Sequence, residues 1–191
     1  MKLVRLVVIS VVAFSVMFFS YQFLPESNKY EISDWFGRFN APNFDLPPDA
    51  IVETDQASLI GEYRRRGYKL KCYGNLRPEE KISKADDYEC WALVKSAYDN
   101  IPAKMVTFFF SNEKLSHVRL EFPSSSFEKL LNYLNLRLAN YPRLDQIPGR
   151  RFGTDIYGKS LMVWGVKQGV VVTSESVTPG QPITLLWSKM H

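Results

Sequence analysis

The sequence predicts an α+β fold: a single N-terminal transmembrane helix, then one extracytoplasmic domain with an antiparallel sheet and helices packed on one face. Three observations predict this class. A long uncharged apolar run opens the chain, later segments alternate between periods of 3.6 and 2, and short turns join the alternating segments. Short connections between strands indicate antiparallel pairing. We therefore divide the chain into residues 1–24, 25–48 and 49–191.

The apolar run covers residues 6–24. Its nineteen residues carry no charge, and as a helix they would rise about 28 Å, close to the roughly 30 Å hydrocarbon core of a bilayer. Lys2 and Arg5 precede it, which predicts a cytoplasmic N-terminus. The expected location is the bacterial inner membrane, with one signal-anchor span and the C-terminal domain in the periplasm.

A cleaved secretory signal is the alternative interpretation of this run. The run ends in bulky residues, FFSYQFLPESN, and no small-x-small cleavage motif follows it. No cysteine is placed to accept a lipid either. These features favour an uncleaved anchor.

Composition and charge are those of an ordinary globular domain. The 191 residues are 46% hydrophobic, which is sufficient for one core of common size. The net charge is +4, and it falls to +2 without Lys2 and Arg5 (4 − 2 = 2). Because positive and negative residues are mixed along the chain, with no sustained basic stripe, we expect no nucleic-acid partner.

The two cysteines, Cys72 and Cys90, predict a disulfide. An oxidising compartment would join them and close a loop of about 18 residues, worth roughly 3 kcal/mol; two free thiols are the alternative. With no further cysteine and only two histidines, a zinc site of the finger or ribbon type cannot be assembled. We expect no metal and no cofactor.

Residues 25–48 are predicted to be a tether that contains one short amphipathic helix. Its apolar stripe has the spacing i, i+3, i+4 and i+7 and consists of Ile32, Trp35, Phe36 and Phe39. The stripe would bind the bilayer surface or a neighbouring protein, or it would pack on the domain's own core. Both interpretations stay open, and three prolines make the rest of the tether an extended spacer.

The domain is predicted to begin near Asp49 with a helix. Thr54 or Asp55 can cap it, and Gly67 can end it in a left-handed conformation. Its last turn contains three adjacent arginines, Arg64, Arg65 and Arg66. They would bind an anionic lipid headgroup or an acidic partner, or simply complement the carbonyl end of the helix.

Seven segments of alternating polarity are predicted to be strands: 68–73, 88–95, 104–110, 114–122, 159–166, 169–175 and 183–188. In the fourth segment, Val118 and its alternate neighbours point to the core. His117, Arg119 and Glu121 then point to solvent, so we expect His117 at the surface. The polar stretch between the cysteines lacks periodicity and is expected to be an exposed loop.

A capping box at Ser125–Glu128 predicts a second helix, from there to about Tyr141. The predicted order is therefore helix, four strands, helix, three strands. The helices would pack on one face of the sheet, which would leave the other face open to solvent or to a partner.

The chain lacks the common catalytic motifs, including GxSxG, HExxH, the P-loop and GxGxxG. The hypothesis that fits best is a membrane-anchored extracytoplasmic protein–protein interaction module, a subunit or assembly factor of an envelope complex, whose partners are other membrane or periplasmic proteins. Its predicted contacts are Trp35, Phe36, Phe39 and the three arginines. An extracytoplasmic inhibitor or immunity protein is the alternative, and a hydrolase without a recognisable motif is the third.

Overall fold

The computed structural model describes residues 10, 15, 22–23 and 37–190. Backbone contacts divide the chain into two compact units, residues 1–39 and residues 40–191, and each is described by itself. In the first unit, residues 10, 15, 22 and 37–39 are helical. Most of the predicted transmembrane run, together with Trp35 and Phe36, lies outside the described residues.

The prediction of a transmembrane helix is wrong. In the part of the chain that the structure describes, no helix has the length and apolar character needed to cross a bilayer. A span requires about 20 consecutive residues, whereas the two helices of the second unit have 10 and 11. This finding also overturns the signal-anchor and the single-pass inner-membrane location.

The second unit is built on a seven-stranded antiparallel sheet. Its strands are β1 (Lys71–Gly74), β2 (Tyr88–Leu93), β5 (Met105–Ser111), β6 (Lys114–Phe122), β7 (Leu161–Val166), β8 (Gly169–Ser174) and β9 (Ile183–Lys189). A two-stranded ribbon, β3 (Ser96–Ala97) and β4 (Ile101–Pro102), stands apart from it. The seven predicted strands all occur, because alternation of polar and apolar residues is the pattern of a sheet with two different faces.

Two α-helices accompany this sheet within residues 40–190: α1 (Gln56–Arg65) and α2 (Phe127–Arg137). Helix α1 precedes β1, and α2 connects β6 to β7. The fold-class prediction is corrected accordingly, since the described chain is mostly antiparallel sheet with few helices. The single-span α+β description gave too much weight to helices, because the apolar run at the N-terminus was counted as one.

The strands are not arranged in sequence order. The order in the sheet is β1-β2-β5-β6-β9-β8-β7, so the last strand inserts between β6 and β8. The two helices pack on one face, which we call the core face: Tyr63 of α1 contacts Phe108, with ring centroids 4.7 Å apart, and Leu130 and Leu134 of α2 belong to the same buried cluster. The opposite face, covered by neither helix, is called the open face.

The helix ends differ in how well their sequences predict them. Gly67 has φ +87°, the left-handed conformation that ends α1 as expected. The capping box before α2 does not form: Ser126 is the N-cap residue but makes no capping bond. Its hydroxyl donates instead to the carbonyl oxygen of Pro102, at 2.8 Å.

A β-bulge interrupts the pairing of β5 with β6. Phe109 pairs with His117 and Phe110 with Leu115, so Ser116 is the extra residue. The bulge lets Leu115 join the core although simple alternation from Val118 would turn it away. It also holds the Ser116 side chain in a buried position, 4% exposed, at the edge of the open face.

Candidate functional site

The segment between the cysteines forms a loop attached to the sheet at its base. Cys72 and Cys90 are directly opposite each other on β1 and β2 and form the disulfide that the sequence favours. Near the middle of the loop, the Arg77 side chain donates to Glu80 Oε1 from Nε and Nη2, at 3.0 and 2.6 Å. The disulfide therefore closes the loop, and hydrogen bonds between the loop's own side chains hold its shape.

Asp86 anchors the far part of this loop. Its side chain is fully buried, and its Oδ2 accepts hydrogen bonds from the backbone amides of Ile82 and Ser83, at 3.1 and 2.7 Å. Its Oδ1 accepts a hydrogen bond from the Ser116 hydroxyl at 2.7 Å and lies 3.3 Å from His117 Nδ1. Burial raises the pKa of Asp86, but hydrogen bonds from His117, the Ser83 amide and Ser116 outweigh it and hold the pKa below its usual range.

His117 was predicted at the surface, and this prediction is wrong. It faces the open side as expected, yet only 6% of it is exposed, because the loop that carries Asp86 covers it. Its ring lies edge-on to Phe109, with centroids 6.4 Å apart. Alternation gave the correct face of the strand, but it carries no information about a loop that folds over that face.

The three side chains Asp86, Ser116 and His117 have the residue types of a hydrolytic triad but not its geometry. In such a triad the imidazole uses one nitrogen for serine and the other for aspartate. Here His117 Nδ1 faces both Ser116 Oγ, at 3.0 Å, and Asp86 Oδ1. The Ser116 hydroxyl meanwhile donates to Asp86 directly. The arrangement therefore fixes the loop to the sheet.

One row of paired positions crosses the middle of the open face. Paired positions form one row, in the order Trp91, Thr107, Arg119, Leu186, Val172 and Val163. Trp91, Arg119 and Leu186 are partly exposed, while Thr107 and Val163 are buried. The face thus combines buried side chains with a few large side chains that are partly exposed to solvent.

Charges of both signs surround these side chains. The Lys71 ammonium lies 4.7 Å from the centre of the Trp91 ring, and Arg119 lies 5.3 Å from that of Phe109. Arg119 Nε is 3.5 Å from Glu121 Oε1, and both side chains remain more than a quarter exposed. Burial raises the pKa of Glu89, which the nearby Arg119 charge partly offsets. The result is an amphipathic surface with alternating charge.

The predicted contact residues do not gather at this face. Trp35 and Phe36 lie outside the described residues, and Phe39, 65% exposed, belongs to the first unit. The arginines end α1, which packs on the core face. All three are exposed, and Arg66 also lies over the Tyr63 ring, 5.2 Å from its centre. Their binding role remains a prediction.

Sequence reasoning missed Asp86, Ser116 and Trp91 as site residues. Trp91 stands in an alternating strand, where one tryptophan on the polar side was a usable signal. Asp86 had no such signal, because it stands beside a second aspartate in a stretch without periodicity.

Comparisons with known proteins show no family for this chain. No protein-family model matches it, and neither the curated proteins nor the solved structures include a significant match. Across the described residues, no group of three or more His, Cys, Asp or Glu side chains is placed to hold a metal ion.

Proposed function

We propose that the chain is a protein–protein interaction module that binds a partner protein on its open face. The observation that carries this proposal is that Trp91 and Arg119, on either side of Thr107 in one row across the sheet, are both partly exposed on a face that neither helix covers. Tryptophan and arginine are the residue types that most often dominate binding energy at protein interfaces.

The chemistry of the face indicates the kind of partner. Opposite charges alternate over a short distance, on Lys71, Glu89, Arg119 and Glu121. A complementary surface would carry the reverse pattern around an apolar pocket for the Trp91 ring. In addition, the Thr107 hydroxyl is buried without a hydrogen-bond partner among the described residues. The proposed partner is therefore a folded protein with a polar, mixed-charge surface.

The loop between the cysteines supports a second candidate, an inhibitor of an enzyme. The disulfide, the Arg77–Glu80 contact and Asp86 hold this loop in one conformation before any partner arrives. A preorganised loop loses little conformational entropy when it enters a cleft. Ile82, 38% exposed, is the apolar side chain that such a loop presents.

Site-specific photo-crosslinking in the native cells tests the proposal. A photoreactive amino acid replaces Trp91 in one variant, Ile82 in a second, and Ile156 in a control, where the residue is 90% exposed in another loop. We expect one protein to crosslink from position 91 and not from position 156. Crosslinking from position 82 alone, to an enzyme whose activity falls on binding, would favour the inhibitor; equal crosslinking from all positions would contradict both.

A further inference from the structure

A groove lies on the helix side of the second unit and is separate from the open face. It has a volume of about 570 Å³ and lies between the C-terminal half of α2 and the segment before α1. The residues that line it include Asp45, Pro47, Tyr98, Asp99, Tyr133 and Leu136. Leu136 is 82% exposed, so its apolar side chain is accessible at the groove.

Two carboxylates on the groove have no ion-pair partner in the part of the chain that the structure describes. Asp45 and Asp99 are exposed, and neither has a hydrogen-bond or ion-pair partner among the residues that the structure describes. Arg137, the cation at the rim, is already engaged: its Nε and Nη2 donate to the Asp49 carboxylate at 2.7 and 3.1 Å. The chain as a whole is positive, at +4, so the sign of the charge is reversed locally.

Two stacked tyrosines form the aromatic part of the groove. The rings of Tyr98 and Tyr133 are 4.6 Å apart and nearly parallel, with an angle of 5°. Tyr98 is 7% exposed, and its hydroxyl lacks a hydrogen-bond partner among the described residues. Its φ of +52° lies in the left-handed region, which a bulky residue seldom adopts and which is often found at functional sites.

The tyrosines stay neutral at physiological pH. Burial raises the pKa of Tyr133 to about 12; the Arg137 charge opposes this rise, and the charges of Asp99 and Asp49 add to it. Burial also raises the pKa of Tyr98 far above its usual range. The free charge of the groove therefore comes from the two aspartates.

We propose that this groove binds a cationic side chain, arginine or lysine, of a polypeptide. The two carboxylates, which have no partner among the described residues, attract an organic cation through Coulomb interaction, and the Tyr133 ring adds a cation–π contact on the face that Tyr98 does not cover. Leu136 and Pro47 supply apolar contact for the neighbouring residue of the same polypeptide. The inference rests on the proposed function, because it takes a protein as the source of the cation.

The test is a titration of the full-length, isotope-labelled chain followed by NMR. The probe is an acetylated four-residue peptide with arginine followed by leucine; the controls are its citrulline analogue and Nα-acetylargininamide. We expect the arginine peptide to shift the signals of Tyr133 and Asp99. Each control should bind at least about threefold more weakly, because the citrulline analogue lacks the positive charge and the arginine amide lacks the apolar leucine.

Two charge-neutralising variants make the test specific. Asp45→Asn combined with Asp99→Asn should weaken peptide binding about tenfold, since it removes both free charges. Glu113→Gln combined with Glu175→Gln removes the same charge at exposed positions elsewhere and should change binding by less than about twofold. Equal affinity for the citrulline peptide, equal affinity for Nα-acetylargininamide, or unchanged affinity in the aspartate variant would each overturn the proposal.

These results are independent of the crosslinking experiment. Peptide binding uses neither Trp91 nor any other residue of the open face. If the peptide fails to bind while position 91 still crosslinks, only the groove proposal is lost. If the peptide binds as expected and position 91 does not crosslink, only the open-face proposal is lost.

Discussion

Asp86 shows how a single residue joins the loop between the cysteines to the sheet. Its carboxylate contacts two loop amides on one side and Ser116 and His117 of β6 on the other. Burying a carboxylate is costly unless such partners replace water. The four contacts replace it, and as a result the loop and the strand are ordered together.

We predict that Asp86→Asn lowers the free energy of unfolding by about 1.5–3 kcal/mol at pH 7, because charge-assisted hydrogen bonds to a buried group are lost. The variant should also change the pH dependence. The folded-state pKa of Asp86 is depressed, so its stabilisation is present above the unfolded pKa of about 3.9 and is lost as pH falls below it.

Urea unfolding at pH 7 and at several values below pH 5 measures both effects. The wild type should lose stability more steeply than Asp86→Asn as the pH falls through this range. Asp87→Asn is the matched control, because Asp87 is the exposed neighbour and its side chain accepts one described hydrogen bond, from the Asn112 amide. Equal slopes for the wild type and Asp86→Asn would contradict the assigned role.

Among the elements, the β8–β9 pair depends on a close approach of two backbones. Gly169 opens β8 opposite Lys189. A Cβ atom there would fall on the carbonyl oxygen of Ser188 and lie 3.1 Å from Trp187 Cε2. Only glycine therefore fits at this position without moving the neighbouring strand.

We predict that Gly169→Ala lowers the free energy of unfolding by about 2 kcal/mol or more, since β9 must shift away from β8. Gly153→Ala is the control, because a Cβ atom at Gly153 meets nothing within 4 Å; it should change stability by less than about 0.5 kcal/mol. Thermal and urea unfolding of both variants provide the measurement. Similar losses in the two would show that the close approach is unimportant.

The edge strand β1 depends on the disulfide. It has four residues and pairs only with β2 in the sheet. We predict that reduction of the Cys72–Cys90 bond lowers the free energy of unfolding by roughly 3 kcal/mol and speeds hydrogen exchange at the β1 amides. The backbone amides of the central strands β5 and β6 should keep their slow hydrogen exchange. Unchanged exchange in β1 after reduction would contradict this prediction.

The elements themselves were largely predictable, and their arrangement was not. Period-two alternation identifies strands and faces, as Val118, Leu120 and Phe122 show. It does not say which strands are neighbours, so the insertion of β9 between β6 and β8 was not foreseen. A bulge also shifts the alternation by one residue, which hid Ser116 and Leu115. Asp86 was missed because burial by a loop is a tertiary effect.

The prediction for the N-terminal segment failed for a different reason. The apolar run met the criteria of length and charge for a span, and the preceding Lys2 and Arg5 and the lack of a cleavage motif favoured an anchor. The described helices do not provide one. The proposed function is accordingly stated without a membrane, and it depends on the second unit alone.

At the scale of the whole second unit, the two faces of the sheet differ in how they are covered. The core face is filled by α1, α2 and a cluster of aromatic rings, which stabilises the fold. The open face leaves Trp91 and Arg119 partly exposed. A sheet with one covered and one uncovered face is common in antiparallel folds, and here the uncovered face carries the residues suited to an interface.

The most direct test of this account is the affinity of the crosslinked partner, once purified, for Trp91→Ala compared with Ile156→Ala, measured by calorimetry on folded samples. Tryptophan at an interface centre contributes at least about 2 kcal/mol, so we predict at least a thirtyfold weaker complex for Trp91→Ala and less than a twofold change for Ile156→Ala. Equal affinities for the two variants would contradict the assignment of the open face as the binding surface.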